Sequence, residues 1–174
     1  MFNPSRDEAR RFFFDTWRKH QANDTLTDLE RMTLAIILLH PEYHPVLDAP
    51  ARYLEREWLP EDGQTNPFLH LAMHLSIEEQ LSIDQPPGIR ARIDALSLQH
   101  QDRHPALHDA MDGLAEMIWH AQRYQTPPDP QLYLHCLDRK LGRDPDPEVK
   151  PLPDDDGPGL ILPPLTAAGR PQPG

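Results

Sequence analysis

His104, His108, Asp112, Glu116 and His120 follow one another at intervals of four residues. Residues four apart stack on the same side of a helix. A helix through this stretch therefore carries a row of five side chains, each able to offer nitrogen or oxygen to a transition metal. A second row, His70, His74 and Glu78, repeats the interval inside a segment that is otherwise mostly apolar. Two helices with such rows present imidazole and carboxylate ligands to a shared interior, as the helices of metal-binding bundles do. The other common chemistries lack their scaffolds. None of Ser5, Ser76, Ser82 and Ser97 sits in a G-x-S-x-G elbow, and the chain has no P-loop, no G-x-G-x-x-G string and no C-x-x-C pair.

The apolar neighbours of His70 and His74 place the pair in the interior, where an imidazole needs a partner. Three partners are open: Glu78 or an acid of a neighbouring helix, a metal ion, or a directly bound ligand. His108 lies beside the Leu107, Met111 and Ala115 face and so points inward. Glu116 and His120 drift towards the edge, because each four-residue step turns by about 40°. The sharpest form of the metal hypothesis is a site of His70, His74 and His108, with Glu78 or Glu116 as carboxylate ligand or as support for one, holding a divalent ion such as zinc, manganese or iron. Ten histidines in 174 residues also put some of them in such rows by chance. His40 and His44 bracket Pro41 at a helix end, which favours capping over ligation. His100 and His104 flank a turn and are expected at the surface. Trp17, Trp58 and Trp119 read as packing residues, since no basic patch accompanies them.

The elements that position these rows are all helical. Ser5 with Glu8, and Thr27 with Glu30, are capping boxes. The first opens a helix to about His20 that carries Phe12, Phe13, Phe14 and Trp17. The second opens a helix with Leu29, Met32, Ile36, Leu39 and His40 on one face, ended by Pro41. A short helix is expected from Pro50 to Trp58. Asn66 and Pro67 form an N-cap and first-turn pair for a helix that runs to about Asp84 and stops before Pro86 and Pro87. Its apolar residues lie nearly all round, which marks a central helix. Further helices are predicted over Ile89 to Gln99, over Pro105 to Arg123 after Asp102 as cap, and over Gln131 to Leu141. The pattern predicts an all-α fold, an antiparallel helical bundle of six or seven helices.

Residues 1–142 are expected to form the folded domain, and 143–174 a disordered, acidic, Pro-rich tail. Nine of those 32 residues are proline, and Leu160, Ile161, Leu162 and Leu165 are a short apolar island that cannot offset the entropy of ordering the rest. The formal net charge of −11, from 28 acidic and 17 basic residues with no Lys/Arg block, argues against a nucleic-acid partner. The lone Cys136 excludes an internal disulfide and fits a reducing cytoplasm. Met1 to Arg11 lacks the apolar stretch of a signal peptide, and the longest aliphatic run, Leu34 to Leu39, is too short to cross a bilayer. No membrane partner is expected; a protein partner through the tail is.

Four strings carry a family resemblance: MFNPSRDEARRFF at the start, HPEYHPVL from His40, GQTNPFLHLAMHLSIEEQLSIDQPPGI from Gly63 to Ile89, and DRHPALHDAMDGLAEMIWHAQR from Asp102 to Arg123. Together they resemble an uncharacterised bacterial family, domain of unknown function 1841, over roughly residues 1–140. The resemblance implies a small bacterial cytoplasmic protein and supplies neither an activity nor catalytic residues. Function is therefore read from the residues. The leading reading is a cytoplasmic helical bundle whose buried His/acid cluster holds a divalent metal. The alternatives are a non-catalytic interaction protein with a structural polar core, and a metal-dependent enzyme in which an open coordination position activates water.

The tail's composition generates the first prediction. A chain ending at Gly142 is expected to keep its helical circular-dichroism signal, with a Tm within a few degrees of the full chain's. A large loss of stability would mean that the Leu160 to Leu165 island docks on the domain.

Overall fold

A computed structural model describes residues 5–143. The tail expected over 143–174 lies outside the described residues apart from Arg143. Eight α-helices and no strand occur among the described residues: α1 (Arg6–Gln21), α2 (Asp28–Leu38), α3 (His44–Leu47), α4 (Pro50–Tyr53), α5 (Pro67–Ile83), α6 (Ile89–His100), α7 (Arg103–Tyr124) and α8 (Pro130–Lys140). Short 3₁₀ turns occupy Pro41–Tyr43 and Pro60–Asp62. The fold is all-α, as expected. The one helix beyond the seven expected is α3; it and α4, which begins where the short helix from Pro50 was expected, are single turns of four residues with proline in the first turn. The described residues fall into two compact units, 5–72 and 73–143, with the division inside α5.

In the first unit α1 packs against α2 and α3. Both capping boxes form as the sequence predicts, Ser5 with Glu8 and Thr27 with Glu30. Phe13, Phe14, Trp17, Ile36, Ile37, Leu47 and Phe68 supply the core, and Phe14 meets Phe68 edge-on at 5.3 Å. The helix expected from Pro50 to Trp58 stops at Tyr53. The reason is Arg10, buried at 4 % exposure. Its Nη1 donates to the carbonyls of Tyr53, Leu54 and Arg56 at 3.4, 2.8 and 2.7 Å, and a carbonyl turned towards a guanidinium is lost to the helical ladder. The same guanidinium lies over Trp58 and Phe68, 5.2 and 4.9 Å from the ring centroids.

The buried side of α2 differs from the predicted stripe. Glu30, Thr33, Ile36 and Ile37 are buried, whereas Leu29 and Leu39 are exposed. Polar residues can occupy that face because each is satisfied. Thr33 Oγ1 donates to the Leu29 carbonyl at 2.8 Å. Glu30 accepts from the Thr27 amide at 3.0 Å and pairs with Lys19 at 2.8 Å.

In the second unit α6 and α8 both pack on α7, and α6 also packs on α8. Its core takes Leu75, Ile77, Ile89, Ile93, Leu96, Leu107, Leu114, Ile118, Tyr133, Leu134 and Leu137. α7 and α8 approach closely at Gly113, where an added Cβ would stand 2.8 Å from the Tyr133 ring. Tyr133 is fully buried, and its hydroxyl donates to Gln80 Oε1 of α5 at 2.9 Å. Arg92 forks both oxygens of Asp138 at 2.9 and 3.0 Å, tying α6 to α8.

The start of α5 behaves as its sequence predicts. Asn66 Oδ1 accepts from the amides of Phe68 and Leu69 at 3.0 and 3.3 Å. Asn66→Ala is therefore expected to cost about 1 kcal/mol in chemical denaturation, and a neutral result would mean that the cap carries no weight. A second expectation concerns acid. The Lys19 ammonium, and after it the Thr27 amide, hold the Glu30 carboxyl at about 2, against an ordinary 4.5. A carboxyl depressed in the folded state stabilises it above the unfolded value and loses that contribution as pH falls through the folded one. The stabilisation is thus complete above about pH 4.5 and drains away towards pH 2. Glu30→Gln should flatten the stability profile across that window, and an unchanged slope would contradict the assignment.

Candidate metal centre

The second unit brings three imidazoles together. His74 stands on α5 at 1 % exposure, while His104 and His108, on consecutive turns of α7, are half-buried. Ring centroids lie 4.3 Å apart for His104 and His108, 5.2 Å for His74 and His108, and 5.6 Å for His74 and His104. One nitrogen from each lies within 4.8 Å of the others. Two nitrogens on one tetrahedral zinc ion stand about 3.3 Å apart, given bonds of about 2.0 to 2.1 Å. The nitrogens thus lie up to about 1.5 Å farther apart than on a bound ion, a gap for side-chain torsions to close.

Local chemistry explains why these three converge. Asp102 caps α7 by accepting from the His104 amide at 3.1 Å. The helix thus begins two residues before Pro105, and His104 belongs to its first turn instead of to a loop. His108 follows one turn on, so the i, i+4 pair that forms the floor of the cluster lies on α7. The sequence pattern by itself puts His104 at the surface beside a turn, and the structure differs. The signal that would have found it was its own place at the head of the four-residue row.

The other residues of the two rows have different partners. The Glu78 carboxylate is forked by Arg103, with Nη1 to Oε1 at 2.7 Å and Nη2 to Oε2 at 2.9 Å. Glu116 accepts from Arg139 Nη2 through both oxygens, at 3.1 and 2.8 Å. Asp112 accepts from Lys140 at 2.9 Å, and the His120 ring packs on Tyr124 at 4.7 Å. Of the predicted ligands, then, His74 and His108 join His104, while Glu78 and Glu116 stand in ion pairs with arginines.

His70 belongs to the first unit. Its Nε2 lies 3.1 Å from Nε2 of His40, with the rings edge to face. His40 is buried, and its Nδ1 donates to the Ile36 carbonyl at 2.8 Å. His44 Nε2 donates to the Ile37 carbonyl at 2.9 Å, and its ring stacks on Trp17 at 4.3 Å. Both histidines thus occupy carbonyls at the end of α2, the capping role that their position beside Pro41 suggests. A carbonyl only accepts, so Nδ1 of His40 carries a proton, and Nε2 is the nitrogen that faces His70. His100 pairs with Asp109 at 2.7 Å.

Cys136 is buried. Loss of solvent, and after it the Glu116 carboxylate, pushes its thiol up to about 11. Such a thiol is neutral and unreactive at physiological pH, in keeping with its reading as a small apolar residue of a helix. A further cleft, of about 480 Å³, opens between Gln80, Pro86, Met117, Pro130 and Tyr133.

The family described as Domain of unknown function (DUF1841) matches residues 5–139. No curated protein and no solved structure matches the chain.

Proposed function

We propose, for a chain that belongs to the family Domain of unknown function (DUF1841), that it is a metal-binding helical protein holding a divalent transition ion on His74, His104 and His108. The supporting observation is the convergence of three imidazole nitrogens within 4.8 Å, one from a buried residue. Imidazole suits zinc, iron and their neighbours in the transition series. His74 binds from α5 and the His104/His108 pair from α7, so the ion links two helices. His70, Glu78 and Glu116, whose partners are His40, Arg103 and Arg139, are not ligands in this reading.

The wider reading is of a bacterial cytoplasmic protein without a nucleic-acid or membrane partner. The single cysteine supports a reducing compartment. No helix among the described residues is long and apolar enough to cross a membrane. The acidic Pro-rich tail is the segment that would contact a protein partner. The competing class is an interaction protein in which the three histidines are a structural polar core.

Metal binding separates the two. A ligand that prefers the native state raises its stability with concentration, and protons compete with a metal for imidazole. Added Zn²⁺, Fe²⁺ or Mn²⁺ is expected to raise the Tm of metal-free protein at neutral pH, with a smaller gain near about pH 5. His74→Ala should abolish the gain and His100→Ala should preserve it. If none of the three ions moves the melting curve of metal-free parent protein, the proposal is wrong and the interaction-protein reading takes its place.

A further inference from the structure

Glu78 follows His74 by four residues. That is the interval at which two side chains of one helix reach the same ion. A His-x-x-x-Glu pair beside two further histidines would ordinarily be read as a mixed nitrogen and oxygen site. The structure gives Glu78 another occupation. Both of its oxygens are taken by the guanidinium of Arg103, the residue immediately before the ligand His104. A planar guanidinium engages a carboxylate bidentately and with charge-assisted bonds, so both oxygens of Glu78 are directed at the arginine and much of their charge is compensated there. The carboxylate is also the less exposed partner, at 19 % against 53 % for the arginine side chain. Within the pair the acid is thus the more buried member and the cation the more exposed one.

Resting on the metal reading, we infer that Arg103 is the specificity-determining residue of the site: by sequestering Glu78 it leaves an all-imidazole ligand set and biases the site against oxygen-preferring ions. Carboxylate ligands suit magnesium, calcium and manganese, whereas imidazole suits zinc, copper, nickel and iron. An exposed ion pair of ordinary strength contributes little to stability, yet its geometry decides which donor atoms face the ion. The same interaction adds a second effect that does not discriminate. The Arg103 cation repels every divalent ion alike, and its bond to Glu78 ties α5 to α7 for every ion alike. Only the ratio of affinities isolates the sequestering role.

The second arginine clamp provides the comparison. Arg139 holds Glu116 through both oxygens, much as Arg103 holds Glu78. Glu116 lies eight residues beyond His108, about 12 Å along the helix. Freed from its arginine, it would still be too far along α7 to join the three imidazoles.

The test is the ratio of Zn²⁺ to Mn²⁺ affinity, measured by competition against a chromophoric chelator with the full chain. Arg103→Gln is expected to narrow the ratio at least tenfold, mainly by strengthening Mn²⁺. The double variant Arg103→Gln with Glu78→Gln should return to the parental ratio, because the freed carboxylate is gone. Arg139→Gln should stay at the parental ratio throughout. Should Arg103→Gln fail to fold, Arg103→Lys keeps the charge but engages one oxygen in place of two, and a smaller narrowing in the same direction is expected. Equal losses for both ions in Arg103→Gln would show a clamp without selectivity and overturn the inference while leaving the metal reading intact. A parent protein that takes up neither ion would sink the metal reading and this inference with it.

Discussion

The second unit depends on one close approach. At Gly113 the Tyr133 ring fills the volume that a Cβ would need, so Tyr133 of α8 lies directly against the backbone of α7 with no α7 side chain between them. Any larger residue would hold the helices apart, and core packing leaves little room to absorb such a shift. Tyr133, once seated there, has a single polar atom to satisfy in the interior, and its hydroxyl finds Gln80 of α5. The contact therefore reaches three helices at once. It ties the part of α5 that carries His74 to the helix pair that includes His104 and His108.

The histidine cluster follows from this placement more than from any feature of the histidines themselves. On α7 the two imidazoles are neighbours by helical geometry alone, one turn apart behind the Asp102 cap. His74 comes from a different helix and meets them only because the core has set the two faces together. The ion pairs around the cluster then assign the remaining charged groups. Arg103 takes Glu78, Arg139 takes Glu116 and Lys140 takes Asp112. A stretch that reads as a five-residue ligand row is divided between a site and its surroundings by cations that arrive from other parts of the chain.

That division marks the limit of what the sequence could reveal. The capping residues Ser5, Thr27 and Asn66 act within four residues of themselves, so the starts of α1, α2 and α5 were legible without a structure. The all-α class and the membership of His74 and His108 in one cluster followed from spacing. The fates of Glu78 and Glu116 did not, because the arginines that hold them lie 25 and 23 residues away. His104 was lost to the turn beside it by a two-residue difference in where α7 begins. The buried side of α2 was misjudged for a related reason. Apolar periodicity ranks Leu29 above Glu30 for the interior, whereas Lys19 and the Thr27 cap satisfy a buried Glu30 fully. The helix expected to reach Trp58 ended early because Arg10, more than forty residues away, claims its carbonyls.

The proposal that His74, His104 and His108 bind one ion through nitrogen is open to direct measurement. X-ray absorption spectroscopy of the full chain loaded with one equivalent of zinc reads this directly. A nitrogen shell is expected at about 2.0 to 2.1 Å, with the outer-shell scattering of at least three imidazoles and no sulfur contribution from Cys136. A spectrum dominated by oxygen ligands, with fewer than two imidazoles in the fit, would contradict it.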